Sequence, residues 1–256
     1  MTESFIVEKN FSKASEYYHL NALTQKKTAE HLLDIIKSNS IERKSLSILE
    51  MGCGTGFLSS GLFSSFPNAQ FTISDLSEKM LYASKLNTQN LREQLKINAQ
   101  FIQLNIETDP LPDSYDIITA SLAFQWVEDL DKLLEKLKFF LKPNGFLCFS
   151  TLTNETFKKL KIIFQNENIP YPGPQLLTEQ NITEICLKYF SNSYFHKEAL
   201  FEEFENLKEC LRHINHTGAG NATGAYLSPG KLKKILNLCN HKIDINYDVL
   251  YASMQK

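Results

Sequence analysis

The sequence predicts an α/β fold: a mostly parallel β-sheet with helices on both faces, giving three αβα layers. Two observations predict it. Short apolar strands alternate with helical stretches as far as Thr151. The first of these strands runs directly into alternating glycines that open a helix. The chain has 256 residues, enough to bury a sizeable core in one domain.

Phe11 to Lys37 reads as one helix, because Ala22, Ala29, Leu32, Leu33 and Ile36 recur near the helical period. Ser47 to Met51 is a short apolar strand stopped by glycine, and a helix follows from Phe57 to about Phe66, where Pro67-Asn68 breaks it. Phe71 to Asp75 is the next strand, and Ser77 with Glu78 suits a helix start. Further strands are expected at Ala99–Leu104, Tyr115–Ser121 and Phe146–Thr151, with a helix over Leu130–Leu141 that Lys142-Pro143-Asn144-Gly145 ends. Beyond Thr151, helices are expected at Glu155–Asn166, Thr178–Tyr189, Glu203–His213 and Pro229–Asn240, and Pro170 to Pro174 is a loop. Strands at Tyr194–Phe201 and Ile243–Ser253 should join the same sheet.

Composition narrows the function. Hydrophobic residues make up 43% and the formal net charge is -2, so no basic surplus points to nucleic acid. The densest basic run, Lys231-Leu232-Lys233-Lys234, reads as a solvated helix face. No apolar stretch approaches the ~20 residues that span a bilayer, and Met1 to Asn10 lacks the pattern of a signal peptide. The five cysteines are scattered, form no CxxC pair and read as free thiols. No His/Cys cluster has zinc spacing. A cytoplasmic protein without metal, membrane or nucleic-acid contacts is therefore expected; composition does not bear on its oligomeric state, for which a monomer is the expectation.

The chemistry lies in Glu50-Met51-Gly52-Cys53-Gly54-Thr55-Gly56. Gly52, Gly54 and Gly56 sit at alternate positions, unlike the dinucleotide spacing GxGxxG. Glu50 ends the strand, where a pyrophosphate would want donors and positive potential. A carboxylate there suits a cationic ligand, and S-adenosylmethionine (SAM) carries a sulfonium and an ammonium. Asp75 ends the next strand, placed to accept from ribose hydroxyls. The plainer reading is a tight turn with solvated acidic caps. After the fourth strand, Ser121-Leu122-Ala123-Phe124-Gln125-Trp126 should line the space between cofactor and substrate. Trp126, taken alone, reads more readily as core than as site.

From about Leu46 to Thr151 the chain resembles the seven-stranded, Rossmann-like class I methyltransferases. The resemblance implies SAM as cofactor and S-adenosylhomocysteine as product. It implies cofactor contacts from Glu50, Gly52, Gly54, Gly56, Asp75, Leu76, Met80, Asn105, Ile106 and Ser121. Asn105 stands where these enzymes commonly have Asp; its carbonyl could still accept from the adenine amino group.

Four further segments extend the likeness: Phe11-Ser12-Lys13-Ala14 with Tyr17-Tyr18 and Gln25, Leu122 to Trp126, Phe149 to Thr153, and Arg212 to Ala219 ending in Thr-Gly-Ala. Together they resemble the malonyl-acyl-carrier-protein O-methyltransferases of biotin synthesis. That likeness implies methylation of the free carboxylate of a malonyl thioester on acyl carrier protein. It implies that Tyr18 closes over cofactor and substrate, that Gln125 lies beside them, and that Arg212 binds the malonyl carboxyl end. From the residues alone, Tyr18 reads equally as a buried helix aromatic, and Arg212 reads more readily as a solvated helix residue. A carrier protein is acidic, so Lys158, Lys159 and Lys161, or Lys231, Lys233 and Lys234, are candidate docking patches. One unit of 1–256 is expected, with a core at about 45–151, an N-terminal lid at about 1–40, and substrate-covering insertions at about 152–180 and 202–230. Another small-molecule methyltransferase and a non-catalytic SAM-binding protein are the alternatives.

Overall fold

The computed structural model describes residues 3–39, 45–220, 228–238 and 241–256. Its sheet follows from strands buried on both faces. β1 (Ser47–Met51) sends Ile48 into one apolar layer and Leu49 and Met51 into the other. β2 (Gln70–Asp75), β3 (Asn98–Gln103), β4 (Tyr115–Ser121) and β5 (Leu141–Leu152) run parallel to it. β6 (Asn192–Phe204) and β7 (Ile243–Gln255) complete the sheet, with β7 antiparallel to both β5 and β6. Among the described residues the sheet has seven strands in the order β3-β2-β1-β4-β5-β7-β6. Strand order reverses between β1 and β4, so a crevice opens above their carboxyl ends.

Helices cover both faces. α2 (Leu23–Ser38) and α3 (Phe57–Ser65) bury Leu32, Ile36, Leu62 and Phe63 against one face. α6 (Leu130–Phe140) and α8 (Glu179–Tyr189) pack on the other through Leu133, Leu134, Leu137 and Ile182. Burying each such leucine contributes about 1.5–3 kcal/mol. Asp129 caps α6 by accepting from the Lys132 amide at 3.0 Å, and Thr178 caps α8 by accepting from the Asn181 amide at 3.0 Å. α4 (Glu78–Asn87) starts at Ser77, whose hydroxyl accepts from the Met80 amide. α5 (Gln89–Leu95) follows directly.

The expected helix from Phe11 to Lys37 is two helices, α1 (Glu3–Asn21) and α2, broken at Ala22. No proline or glycine announces the break. Ala22 is buried, and the Thr24 hydroxyl bonds to Glu202 on β6, which pins the start of α2 to the sheet. The helix expected from Glu203 begins later, as α9 (Leu207–His216). Glu203 and Phe204 instead extend β6, because β7 offers partners down to Ile243. Asn206 supplies the cap that opens α9. β5 starts at Leu141, earlier than expected, through a pairing with Tyr115 ahead of a register shift. α7 (Lys158–Asn166) starts after Glu155, and α10 (Pro229–Leu238) is described to Leu238. Cys239 and Asn240, residues 1, 2 and 40 of the expected lid, and residues 221–227 of the second expected insertion lie outside the described residues. No described helix is long and apolar enough to cross a membrane.

Candidate active site

The turn after β1 forms the floor of the crevice. Gly52 has φ +66°, and a Cβ there would stand 2.5 Å from the Ala123 Cβ on the loop after β4. The two loops can approach only because that side chain is missing. Gly56, at φ +94°, opens α3 and faces Ser84 on α4. The Gly54 amide donates to Asp75 Oδ2 at 2.8 Å, and the Ser77 amide donates to Asp75 Oδ1 at 2.8 Å. Asp75 thus ties the β1 and β2 loops together while each oxygen keeps capacity to accept again.

Glu50 is not on the crevice wall as the sequence suggested. It lies buried beneath the glycine turn, where the Ser59 hydroxyl donates to it at 2.5 Å. The alternation of β1 turns it toward α3. Burial, with Asp75 nearby, pushes its carboxyl up to about 8, and burial also raises Asp75 to about 6.

Above the turn is a chamber of about 110 Å³. Gly52, Gly54, Asp75, Leu76, Met80, Asn105, Ile106 and Ser121 all line it. Gly56 does not; its place is the start of α3. The chamber's charged lining is acidic, from Glu8, Asp75 and Glu107, with no Lys, Arg or His among the described residues. Leu76, Met80, Ile106 and Val127 offer apolar faces for a flat base. Asn105 Oδ1 already accepts from the Glu107 amide at 3.0 Å, so the carbonyl expected to meet an adenine amino group is partly engaged in holding its own loop. Acids, an apolar slot and a glycine floor fit an adenosyl ligand with positive charge.

α1 lies across this chamber. Val7, Glu8, Phe11 and Tyr18 reach into it, and Ser12 Oγ lies 2.8 Å from Ser77 Oγ. His19 stacks on Phe57 and lies 3.2 Å from Thr55 Oγ1. Phe11 meets Trp126 edge-on at 5.4 Å and packs over Gly218, where a Cβ would come within 2.8 Å of its ring.

A second, smaller chamber of about 30 Å³ adjoins the first, and Phe11, Tyr18, Leu122 and Trp126 line both. Leu122 belongs to the segment expected to line the space between cofactor and substrate, and it lines both chambers. It holds a left-handed backbone, φ +51°, unusual for a branched apolar residue and costing on the order of 1–3 kcal/mol. Its amide donates to the Ser150 carbonyl at 3.0 Å, which fixes it. Gln125 lies on the second chamber, its Nε2 donating to the Leu122 carbonyl at 2.6 Å and its Oε1 accepting from Thr151. Lys161, Tyr171 and Tyr247 also line this chamber.

Arg212 reaches neither chamber. α9 buries Leu207, Cys210 and Ile214, which leaves Arg212 on the opposite face, its side chain 60% exposed and 3.8 Å from Glu209. The docking lysines also divide. Lys158 pairs with Glu155, Lys159 with Asp244 and Lys234 with Glu167, while Lys161 turns inward and Lys231 and Lys233 stand exposed on α10. Among the described residues no group of His, Cys, Asp and Glu could hold a metal.

A methyltransferase-domain family profile matches residues 49–147, which span the glycine turn, Asp75 and the loop after β4. The malonyl-[acyl-carrier protein] O-methyltransferase of Bacillus cereus is 31% identical over the whole chain and 98% of its own length. That of Acetivibrio thermocellus is 32% identical over 87% of this chain and 81% of its own. Among solved structures, a putative methyltransferase of Bacillus halodurans superposes with TM-score 0.63 at 12% identity, covering 88% of this chain and 98% of that one. The plantazolicin methyltransferase BpumL, solved with S-adenosylhomocysteine, gives TM-score 0.57 at 19% identity over 99% and 95%. The strand order, the glycine turn and full-length identity to these relatives lead to one conclusion: the chain belongs to the malonyl-[acyl-carrier protein] O-methyltransferases, on the class I SAM-dependent methyltransferase fold.

Proposed function

We propose that the protein transfers the methyl group of SAM to the free carboxylate of a malonyl thioester on acyl carrier protein, forming a methyl ester early in biotin synthesis. The observation that carries this reading is the pair of adjoining chambers, one acid-lined and one largely apolar, which share Phe11, Tyr18, Leu122 and Trp126. Bound in the first chamber, SAM supplies an electrophilic methyl group on its sulfonium. Asp75 and the glycine turn hold the adenosyl end, and Leu122 and Tyr18 stand between the two ligands.

A carboxylate acceptor is ionised at neutral pH, with an unperturbed pKa near ~4, so no general base is required. The residues instead orient the acceptor and exclude water. Tyr18 suits that role, because burial of its hydroxyl raises its pKa and keeps it protonated. Gln125, held by Leu122 and Thr151, fixes the wall behind the acceptor. Four described cysteines are free thiols, which supports action in a reducing cytoplasm. We read the chain as one catalytic unit with α1 as its lid.

The test supplies labelled SAM with malonyl-carrier protein, and with malonyl coenzyme A for comparison. The expected outcome is label in a base-labile ester on the carrier-bound malonyl group. Label that resists base, or none, overturns the reading.

A further inference from the structure

We propose that Lys161 is the cation that holds the acceptor's carboxylate, with the Tyr247 hydroxyl as a second donor beside it. This inference rests on the function proposed above and deepens it. Lys161 is the sole charged residue lining the second chamber among the described residues. Its ammonium spends one donor on the Asn154 carbonyl at 2.7 Å, so two N–H groups remain. Glu155, the carboxylate that acts on it, is itself paired with Lys158 at 2.7 Å. Burial lowers the pKa of Lys161 more than Glu155 raises it, an imbalance that an incoming carboxylate would correct.

Two buried polar atoms on residues that line this chamber lack a hydrogen-bond partner: Tyr247 Oη and Gln25 Oε1. A buried polar group left unpaired is costly, so a pair of them in one chamber marks a place for a ligand. Tyr247 is 2% exposed, and burial keeps its hydroxyl protonated, so it donates. Gln25 Oε1 only accepts, which suits an amide N–H of the carrier's thioester arm and not the carboxylate.

The placement of Lys161 is built into the fold. Phe157, at φ +59°, starts α7 in a left-handed turn, and its amide donates to the Asn246 carbonyl at 2.8 Å. Asn246 Nδ2 donates back to the Glu155 carbonyl at 2.8 Å. α7 is thereby anchored to β7, the strand that also carries Tyr247. The choice of lysine also suits the reaction. A guanidinium would grip both carboxylate oxygens in a fork, whereas an ammonium is a point charge that engages one and leaves the other free to attack the methyl group. Esterification removes the negative charge, so the product loses its hold on Lys161.

The experiment measures steady-state kinetics on malonyl-carrier protein and SAM affinity by calorimetry for wild type, Lys161→Met, Lys161→Arg, Tyr247→Phe and Arg212→Ala. In Lys161→Met, KM for the malonyl substrate should rise roughly tenfold or more, with kcat reduced less and SAM affinity within about twofold of wild type. Lys161→Arg should recover part of the loss, Tyr247→Phe should show a smaller rise, and Arg212→Ala should keep its KM. A wild-type KM in Lys161→Met, or a parallel loss of SAM binding, overturns the assignment while leaving the proposed function intact. Absence of ester in the wild type overturns the proposed function and this assignment with it.

Discussion

At Gly52 a single methyl group decides whether the two loops of the crevice can meet. Gly52→Ala forces a left-handed backbone on alanine and sets its Cβ against Ala123. We expect SAM affinity to fall at least about tenfold, with about 1–3 kcal/mol lost in stability, seen by calorimetry and thermal melting. The acids beneath the turn give a pH dependence. Burial raises Glu50 from 4.5 to about 8 and Asp75 from 3.8 to about 6. Between those values the folded, ligand-free protein holds more protons than the unfolded chain, so these groups' contribution to stability falls as pH rises through that window. It levels off above about 8, where both are ionised in both states. Cationic SAM favours the ionised forms, so its affinity should weaken as pH drops from 8 to 6, and Glu50→Gln should flatten the upper part of that slope. Calorimetry across pH reads both, and an affinity independent of pH would refute it. The sequence made Asp75 and the glycines legible, because strand ends and turn residues have fixed geometry. It did not make Arg212 and Lys161 distinguishable. Both are basic residues on amphipathic helices, and only the tertiary packing of α9 and α7 sends one outward and the other inward.

At the scale of elements, α1 is the piece that crosses the ligand chamber. Its contacts with the remainder include polar and aromatic ones, Ser12 with Ser77, His19 on Phe57 and Phe11 on Trp126, and it buries the small Ala14. A helix held this way opens more readily than α6, which buries four leucines. Hydrogen exchange should therefore be faster in α1 than in α6 without ligand, and SAM should slow it; exchange in α1 indifferent to SAM would argue against a lid. The break at Ala22 that frees α1 from α2 had no sequence signal. Apolar spacing continues across it, and the cause lies far along the chain in Glu202. The same holds for the late start of α9, where the strand partner offered by β7 outweighs the helical pattern.

Across the whole molecule, the strand–helix alternation makes the parallel half of the sheet legible in the sequence. β1 and β4 fall at their expected limits, and the switch point between them follows from the chain returning past β1 after β3. The outer half was legible as strands of the same sheet but not in its length. β6 and β7 each run 13 residues, because an antiparallel pair at the sheet edge can extend beyond the core that limits the inner strands.

Leu122 has a bearing on how such a protein can change over time. Its left-handed backbone would be more comfortable with glycine or asparagine. Selection for durability alone would favour one of those, yet either would thin the partition where the two chambers adjoin. Holding a bulky leucine there sets thermal robustness against catalytic competence at one position. Attempts to harden the enzyme against heat should therefore leave residue 122 alone and work on the outer helices instead.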